Sequence, residues 1–228
     1  MKELKKFMTT KQRLINLCKE KGLTHIGSCL GAINGIDAVY QLKHPTENFI
    51  LSNGHAAHAL YVVLEKYGFN ISQLLRMGTH PDRLMQIAND GMLEEPIDCS
   101  TGSLGMGLTV AVGMAFANRD KNVYCMISDG EMSEGCIWEA LRVIHDYKLL
   151  NLKLLVNANG WGAYREIDTM ELITRLQSFG FAVSKVKDKL EDIIGSLKIN
   201  LQFPVVTFIE TKTDIENLKG LEPHYEKL

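Results

Sequence analysis

The chain lacks any Cys-x-x-Cys pair, and its five cysteines (Cys18, Cys29, Cys99, Cys125 and Cys136) lie far apart. Scattered thiols of this kind suggest neither a structural zinc site nor a disulfide framework, and an odd count fits a reducing compartment. No stretch resembles a secretory h-region or a membrane span, so a cytoplasmic, soluble protein is expected. Charge of one sign is also missing: 25 Lys and Arg stand against 27 Asp and Glu, a formal net charge of −2. That balance gives no electrostatic case for nucleic acid or an anionic membrane as partner. The basic residues Lys2, Lys5, Lys6, Lys11 and Arg13 are interleaved with Glu3 and Glu20 and read as the solvated face of an N-terminal helix. Repeats, linkers and low-complexity segments are absent too, which leaves residues 1–228 as a single domain.

What is present is an ordinary globular composition, 46% hydrophobic and 23% charged over 228 residues, long enough to bury a sizeable core. Helical spacing of Leu4, Phe7, Leu14, Leu17 and Cys18 predicts a helix over 1–21, ended by Gly22. A glycine-rich stretch from His25 to Gly35 follows, then a short helix near Ile36–Leu42. Phe49–Leu51 reads as a short strand, 56–67 as a helix, and 70–101 as a long loop punctuated by Gly78, Pro81, Gly91 and Pro96. Gly102–Asn118 is a loop feeding an apolar helix. Val123–Ile127 and Leu152–Val156 are continuous apolar runs, as buried parallel strands require. Helices at 133–147, 168–178 and 189–198 alternate with further strands at Phe181–Val186 and Pro204–Ile209. This alternation predicts an α/β fold: a doubly wound, mostly parallel sheet of about five strands, flanked by helices.

In open α/β sheets ligands sit beyond the carboxyl ends of the strands. Two such ends carry chemistry here. One strand runs into Ser128-Asp129-Gly130-Glu131, the other into Asn157-Ala158-Asn159-Gly160. A right-handed β-α-β crossover brings Asp129 and Asn159 to one rim. A carboxylate and an amide oxygen converging there suit a hard cation such as magnesium, with calcium or manganese as substitutes. Gly130, without a side chain, lets backbone approach a phosphate closely.

Five ordered segments resemble one family, the transketolases among thiamine-diphosphate enzymes. Asp129-Gly130 followed by Asn159 resembles their Gly-Asp-Gly and Asn motif. Thr101-Gly102-Ser103-Leu104-Gly105-Met106-Gly107-Leu108 is similar to their glycine loop. Ser52-Asn53-Gly54-His55-Ala56, His25-Ile26-Gly27-Ser28 and Thr79-His80-Pro81-Asp82 resemble three further stretches. The resemblance implies thiamine diphosphate and magnesium as cofactors. Asp129, Asn159 and the main-chain carbonyl of Trp161 would hold the metal. Gly130, His55 and His224 would contact the diphosphate, and Gly102 and Leu104 the aminopyrimidine side. Glu134 would face a partner subunit in a carboxylate network, while His25 and His80 would line the substrate channel as catalytic groups. His44, His58 and His145 are left as structural.

Departures from the family pattern are Ser128 for the first glycine, Asn157 for an acid near the cofactor, Met106 for a glutamine, and no Lys-Gly loop after the last strand. The family's activating glutamate lies in a further domain that the 228 residues do not contain. The resemblance therefore implies the N-terminal subunit of a split transketolase, with a separate C-terminal subunit in an α2β2 heterotetramer. Such an enzyme moves a two-carbon ketol unit from a ketose or ketose phosphate to an aldose or specialised sugar. The alternatives are a subunit of a thiamine-dependent keto-acid decarboxylase or dehydrogenase, and a non-catalytic cofactor- or partner-binding domain.

Overall fold

The computed structural model describes residues 8–23, 25–72, 74–76, 86–87, 93–94, 96–162 and 165–212. Strands β1 (Asn48–Leu51), β4 (Val123–Ser128), β5 (Leu152–Ala158), β6 (Ala182–Lys187) and β7 (Val205–Glu210) form one sheet in the order β1-β4-β5-β7-β6. Every pairing in it is parallel. A separate two-residue antiparallel ladder joins β2 (Gln86–Ile87) to β3 (Leu93–Glu94), within the stretch expected to be a loop.

Side chains alternate across each strand and so feed two cores. Phe49, Leu51, Tyr124, Met126, Leu155 and Ile209 pack with the helices Thr10–Lys21 (α1), Ile26–Leu42 (α2), Ala57–Lys66 (α3) and Leu190–Leu197 (α7). Ile50, Val123, Cys125, Ile127, Leu154, Val156, Val206 and Phe208 face the other way. They pack with Met106–Ala117 (α4), Gly135–Asp146 (α5) and Thr169–Ser178 (α6). The doubly wound architecture is therefore as the alternation of elements predicts.

Local signals explain most of the boundaries. Thr9 caps α1 by accepting the Gln12 N–H at 3.2 Å, and Gly22 closes it in the left-handed conformation, as glycine after a helix does. Asp168 caps α6 through the N–H groups of Met170 and Glu171. The expected start of the first helix, residues 1–7, lies outside the described residues.

One element differs from the sequence expectation. His25–Leu42 is not a glycine-rich stretch followed by a short helix; α2 is one helix of 17 residues. The reason is packing. Gly31 and Gly35 are one helical turn apart and face the sheet, where a Cβ at 31 would lie 2.9 Å from Asn157 Oδ1 and one at 35 would lie 2.3 Å from Met126 Cε. Close approach of the helix to the sheet outweighs the weak helix propensity of glycine.

The edges of the sheet are managed differently. At β1 the Asp98 carboxylate accepts the Phe49 backbone N–H at 2.8 Å and the Asn48 side-chain amide at 2.9 Å. At the opposite edge, β6 carries Lys185 and Lys187, and Lys185 pairs with Glu210 at 2.9 Å.

Candidate cofactor site at the carboxyl rim of the sheet

Strands β4 and β5 are direct neighbours, with Ser128 opposite Asn157. Their ends therefore present Asp129 and Asn159 at one rim. The Asp129 N–H donates to the Asn157 carbonyl at 3.0 Å, carrying the ladder one residue past the strand. The side chain then turns between the two loops: Oδ1 accepts the Gly130 N–H at 3.0 Å and Oδ2 the Gly160 N–H at 2.7 Å. Asn159 Oδ1 accepts the Trp161 N–H at 2.8 Å, which fixes the amide orientation and leaves that oxygen a second lone pair. A Cβ at Gly130 would sit 3.7 Å from the Trp161 carbonyl oxygen, so the third expected metal ligand borders the same segment.

The electrostatics of the rim are one-sided. Asp129 is 1% exposed. Burial pushes its carboxyl up to about 6, against the opposing pull of N–H groups from Gly160 and Gly130. A carboxylate this desolvated gains most from a cation beside it. Carboxylate, amide oxygen and main-chain carbonyl are all hard donors, as magnesium prefers. The donor set and its burial both fit a divalent cation with a diphosphate.

The loop Gly102–Gly105 forms the next wall. The Thr101 hydroxyl donates to the Leu51 carbonyl at 2.6 Å, tying the loop to the end of β1. Gly105 has φ 81°, and a Cβ there would lie 2.4 Å from Cys136 Sγ and 3.3 Å from Glu134 Cβ. Only glycine meets both conditions. Leu104 is 39% exposed on the outer side of this loop, and Glu134 is exposed where α5 begins. The turn Gly54–Ala56 after β1 presents His55.

His25 stands at the start of α2 in a left-handed conformation, φ 61° and ψ 26°, unusual for a residue with a Cβ. Its ring centroid is 5.7 Å from that of His55. The structure thus brings these two imidazoles together, although the family resemblance assigns one to substrate and the other to diphosphate. His80 and His224 lie outside the described residues. Asn157 is buried with its amide turned under α2, where it accepts the Thr211 hydroxyl at 3.1 Å and abuts Gly31. It packs beneath a helix as well as pairing with Ser128 and Ile209 within the sheet.

Glu131 enters the sequence reading only as part of a motif, yet it is fully buried and joins the walls of the rim. Burial raises its carboxyl above the usual range, opposed by hydrogen bonds from Gly105, Ser52 and Ser128. No spacing rule exposes this: Ser52 and Glu131 are 79 positions apart. His58, expected to be structural, is fully buried, and among the described residues neither ring nitrogen is paired. Burial lowers its pKa and keeps it neutral.

Comparison with known proteins finds one family. The family described as "Transketolase, thiamine diphosphate binding domain" matches residues 25–201. An apulose-4-phosphate transketolase subunit from Phocaeicola vulgatus is 31% identical over 208 residues, covering 82% of this chain and 73% of that protein. The 6-deoxy-6-sulfo-D-fructose transketolase subunit SqwG of a Clostridium species is 31% identical over 193 residues, covering 77% and 70% respectively. Human transketolase is 40% identical over 128 residues, but only 19% of its length is covered. Among solved structures, transketolase from Leishmania mexicana superposes with a TM-score of 0.66 at 20% identity, over 87% of this chain and 34% of that one. At that identity the superposition speaks for the fold alone, whereas the family match and the two subunit relatives carry the kinship. The chain belongs to the transketolase family, whose thiamine diphosphate binding domain its residues 25–201 match.

Proposed function

We propose that this chain is the diphosphate-binding subunit of a two-subunit transketolase, active with a separate chain that carries the pyrimidine-binding and C-terminal domains. The carrying observation is the meeting of Asp129 with the Asn159–Trp161 loop at one rim, around a buried carboxylate with no cationic side chain bonded to it among the described residues. Asp129, Asn159 and the Trp161 carbonyl would hold magnesium, and Gly130 and His55 would meet the diphosphate. When bound, thiamine diphosphate supplies the carbanion chemistry by which a two-carbon ketol unit is moved.

The residues of this chain orient and shield. Ordered N–H groups at Gly130 and Gly160 hold the Asp129 carboxylate in one position before any ligand arrives. His25, beside His55, is placed to donate a hydrogen bond to a sugar hydroxyl or to an oxygen that gains charge, a contribution of order a hundredfold for one well-placed group. The names of the two subunit relatives point to sugar and sugar-phosphate substrates. An α2β2 assembly, the single-domain extent of residues 1–228 and a cytoplasmic location belong to the same reading; among the described residues no helix is long and apolar enough to cross a membrane.

The test is reconstitution. The full chain, mixed with a subunit carrying the complementary domains, is expected to transfer a ketol unit from a ketose phosphate such as xylulose 5-phosphate to an aldose. The chain alone is expected to bind cofactor weakly and transfer nothing. Carbon dioxide released from pyruvate by the reconstituted pair would replace this reading with the keto-acid one. Absence of any magnesium-dependent binding of thiamine diphosphate would end both.

A further inference from the structure

The fully buried Glu131 lies in the single helical turn Gly130–Ser133, two residues after Asp129. Its carboxylate accepts from three separate segments. The Ser52 hydroxyl reaches Oε1 at 2.7 Å and the Gly105 N–H reaches the same oxygen at 2.8 Å. The Ser128 N–H reaches Oε2 at 3.0 Å. Each donor adjoins a part of the rim: Ser52 opens the turn that leads to His55, Gly105 closes the loop of Gly102 and Leu104, and Ser128 precedes Asp129.

The contact is tight from a second direction. A Cβ at Gly107 would lie 2.6 Å from both Cα and Cβ of Ser52. The first turn of α4 therefore rests directly on the residue that Glu131 holds. Ser52 is fixed between a glycine on one side and a carboxylate on the other. Among the described residues Glu131 forms no ion pair, so all three of these partners are neutral donors. That is unusual for a buried acid, which is ordinarily paired with a cation.

We infer that Glu131 is a positioning residue that sets the spacing of the three rim segments before the cofactor binds. This rests on the proposed cofactor role of the rim. The geometry makes the role specific to a carboxylate. Three donors converge on two oxygens, and both oxygens are needed as acceptors. An amide in the same place has one acceptor and one donor end. In either orientation its NH2 group meets a backbone N–H, at Ser128 or at Gly105. Glutamine would therefore fill the space and fail the hydrogen bonding, while alanine would fail both.

The experiment uses the full chain as wild type, Glu131→Gln and Glu131→Ala. Amide hydrogen exchange at Gly105 and Ser128 is read beside that of the β5–β7 ladder, and calorimetry measures thiamine diphosphate binding with magnesium to each form mixed with the subunit that carries the complementary domains. Exchange at the two rim amides is expected to quicken by about tenfold in the glutamine variant and further in alanine, with the central ladder unchanged. Cofactor affinity is expected to fall in the same order, by about tenfold and then about a hundredfold. Wild-type exchange and affinity in Glu131→Gln would overturn the inference, since a space-filling role predicts that result. Uniform acceleration across the sheet would overturn it as well. Should the alanine variant not fold, the glutamine variant decides alone. If wild type binds no cofactor, the proposed function falls, and the exchange comparison still decides the positioning role.

Discussion

Two regions of the molecule bury acids in opposite ways. Between α2 and α3, Asp37 is 4% exposed and takes both Lys66 Nζ, at 2.7 and 2.8 Å, and the Tyr67 hydroxyl at 3.1 Å. At the rim of the sheet, Asp129 and Glu131 are at least as deeply buried but, among the described residues, bond only to neutral N–H and hydroxyl donors. The first acid is neutralised within the chain. The second pair has no cationic side chain bonded to it among the described residues, and under the proposed function a divalent cation would supply the counter-charge to Asp129. On that reading, structure and site differ in who supplies the counter-charge.

The largest test of that contrast is Asp129→Asn. Calorimetry is expected to show cofactor binding with magnesium weakened by about a hundredfold or more, as for loss of one buried charged contact. In the metal-free chain the same change is expected to alter the pH profile of stability. Because burial raises the folded carboxyl to about 6, above its unfolded value of about 4, the folded state holds the proton more tightly. Stability is then greatest below about pH 4 and is lost as pH rises toward about 6, by a total on the order of 3 kcal/mol. Urea midpoints across that window should slope downward in wild type and be flatter in the asparagine variant. A slope unchanged by the substitution would show that the rim carries no such penalty.

Gly107→Ala sharpens the comparison from the packing side. Its Cβ has no room against Ser52, where the nearest atoms include backbone, and overpacking of this kind costs about 1–3 kcal/mol. Both urea stability and cofactor affinity are expected to fall. Asp37→Ala should separate the two regions. It leaves Lys66 and Tyr67 without their acceptor, but the Lys66 side chain is 43% exposed, so water relieves much of the loss and about 1–2 kcal/mol is expected. Cofactor affinity should stay at the wild-type value. Arg142→Ala removes an exposed pair with Asp146 one helical turn away, at 3.0 Å, and should change stability by less than about 0.5 kcal/mol.

The fold is legible in the sequence where local rules act alone. Apolar runs such as Val123–Ile127 mark buried strands, Gly22 marks a helix end, and the alternation of elements implies the doubly wound sheet. The residue pair Asp129 and Asn159 is legible because one crossover of fixed length separates them. What stays hidden depends on contacts remote in sequence. Gly31 and Gly35 look like helix breakers until the sheet surface they approach is known. Glu131 is only one letter of a motif until Ser52 arrives from 79 residues away. The meeting of His25 with His55 needs the start of α2 and the end of β1 to coincide, which no spacing within either segment records.

The carboxylate that covers the outer edge of β1 also bears on how copies of this chain can meet. An incoming strand would find the Phe49 N–H already engaged by Asp98 and would have to evict a charged acceptor to pair there. Growth of the sheet from chain to chain, the usual route from an open edge to fibrils, is thereby obstructed by a single side chain. Replacing that aspartate would free a donor as well as remove a charge.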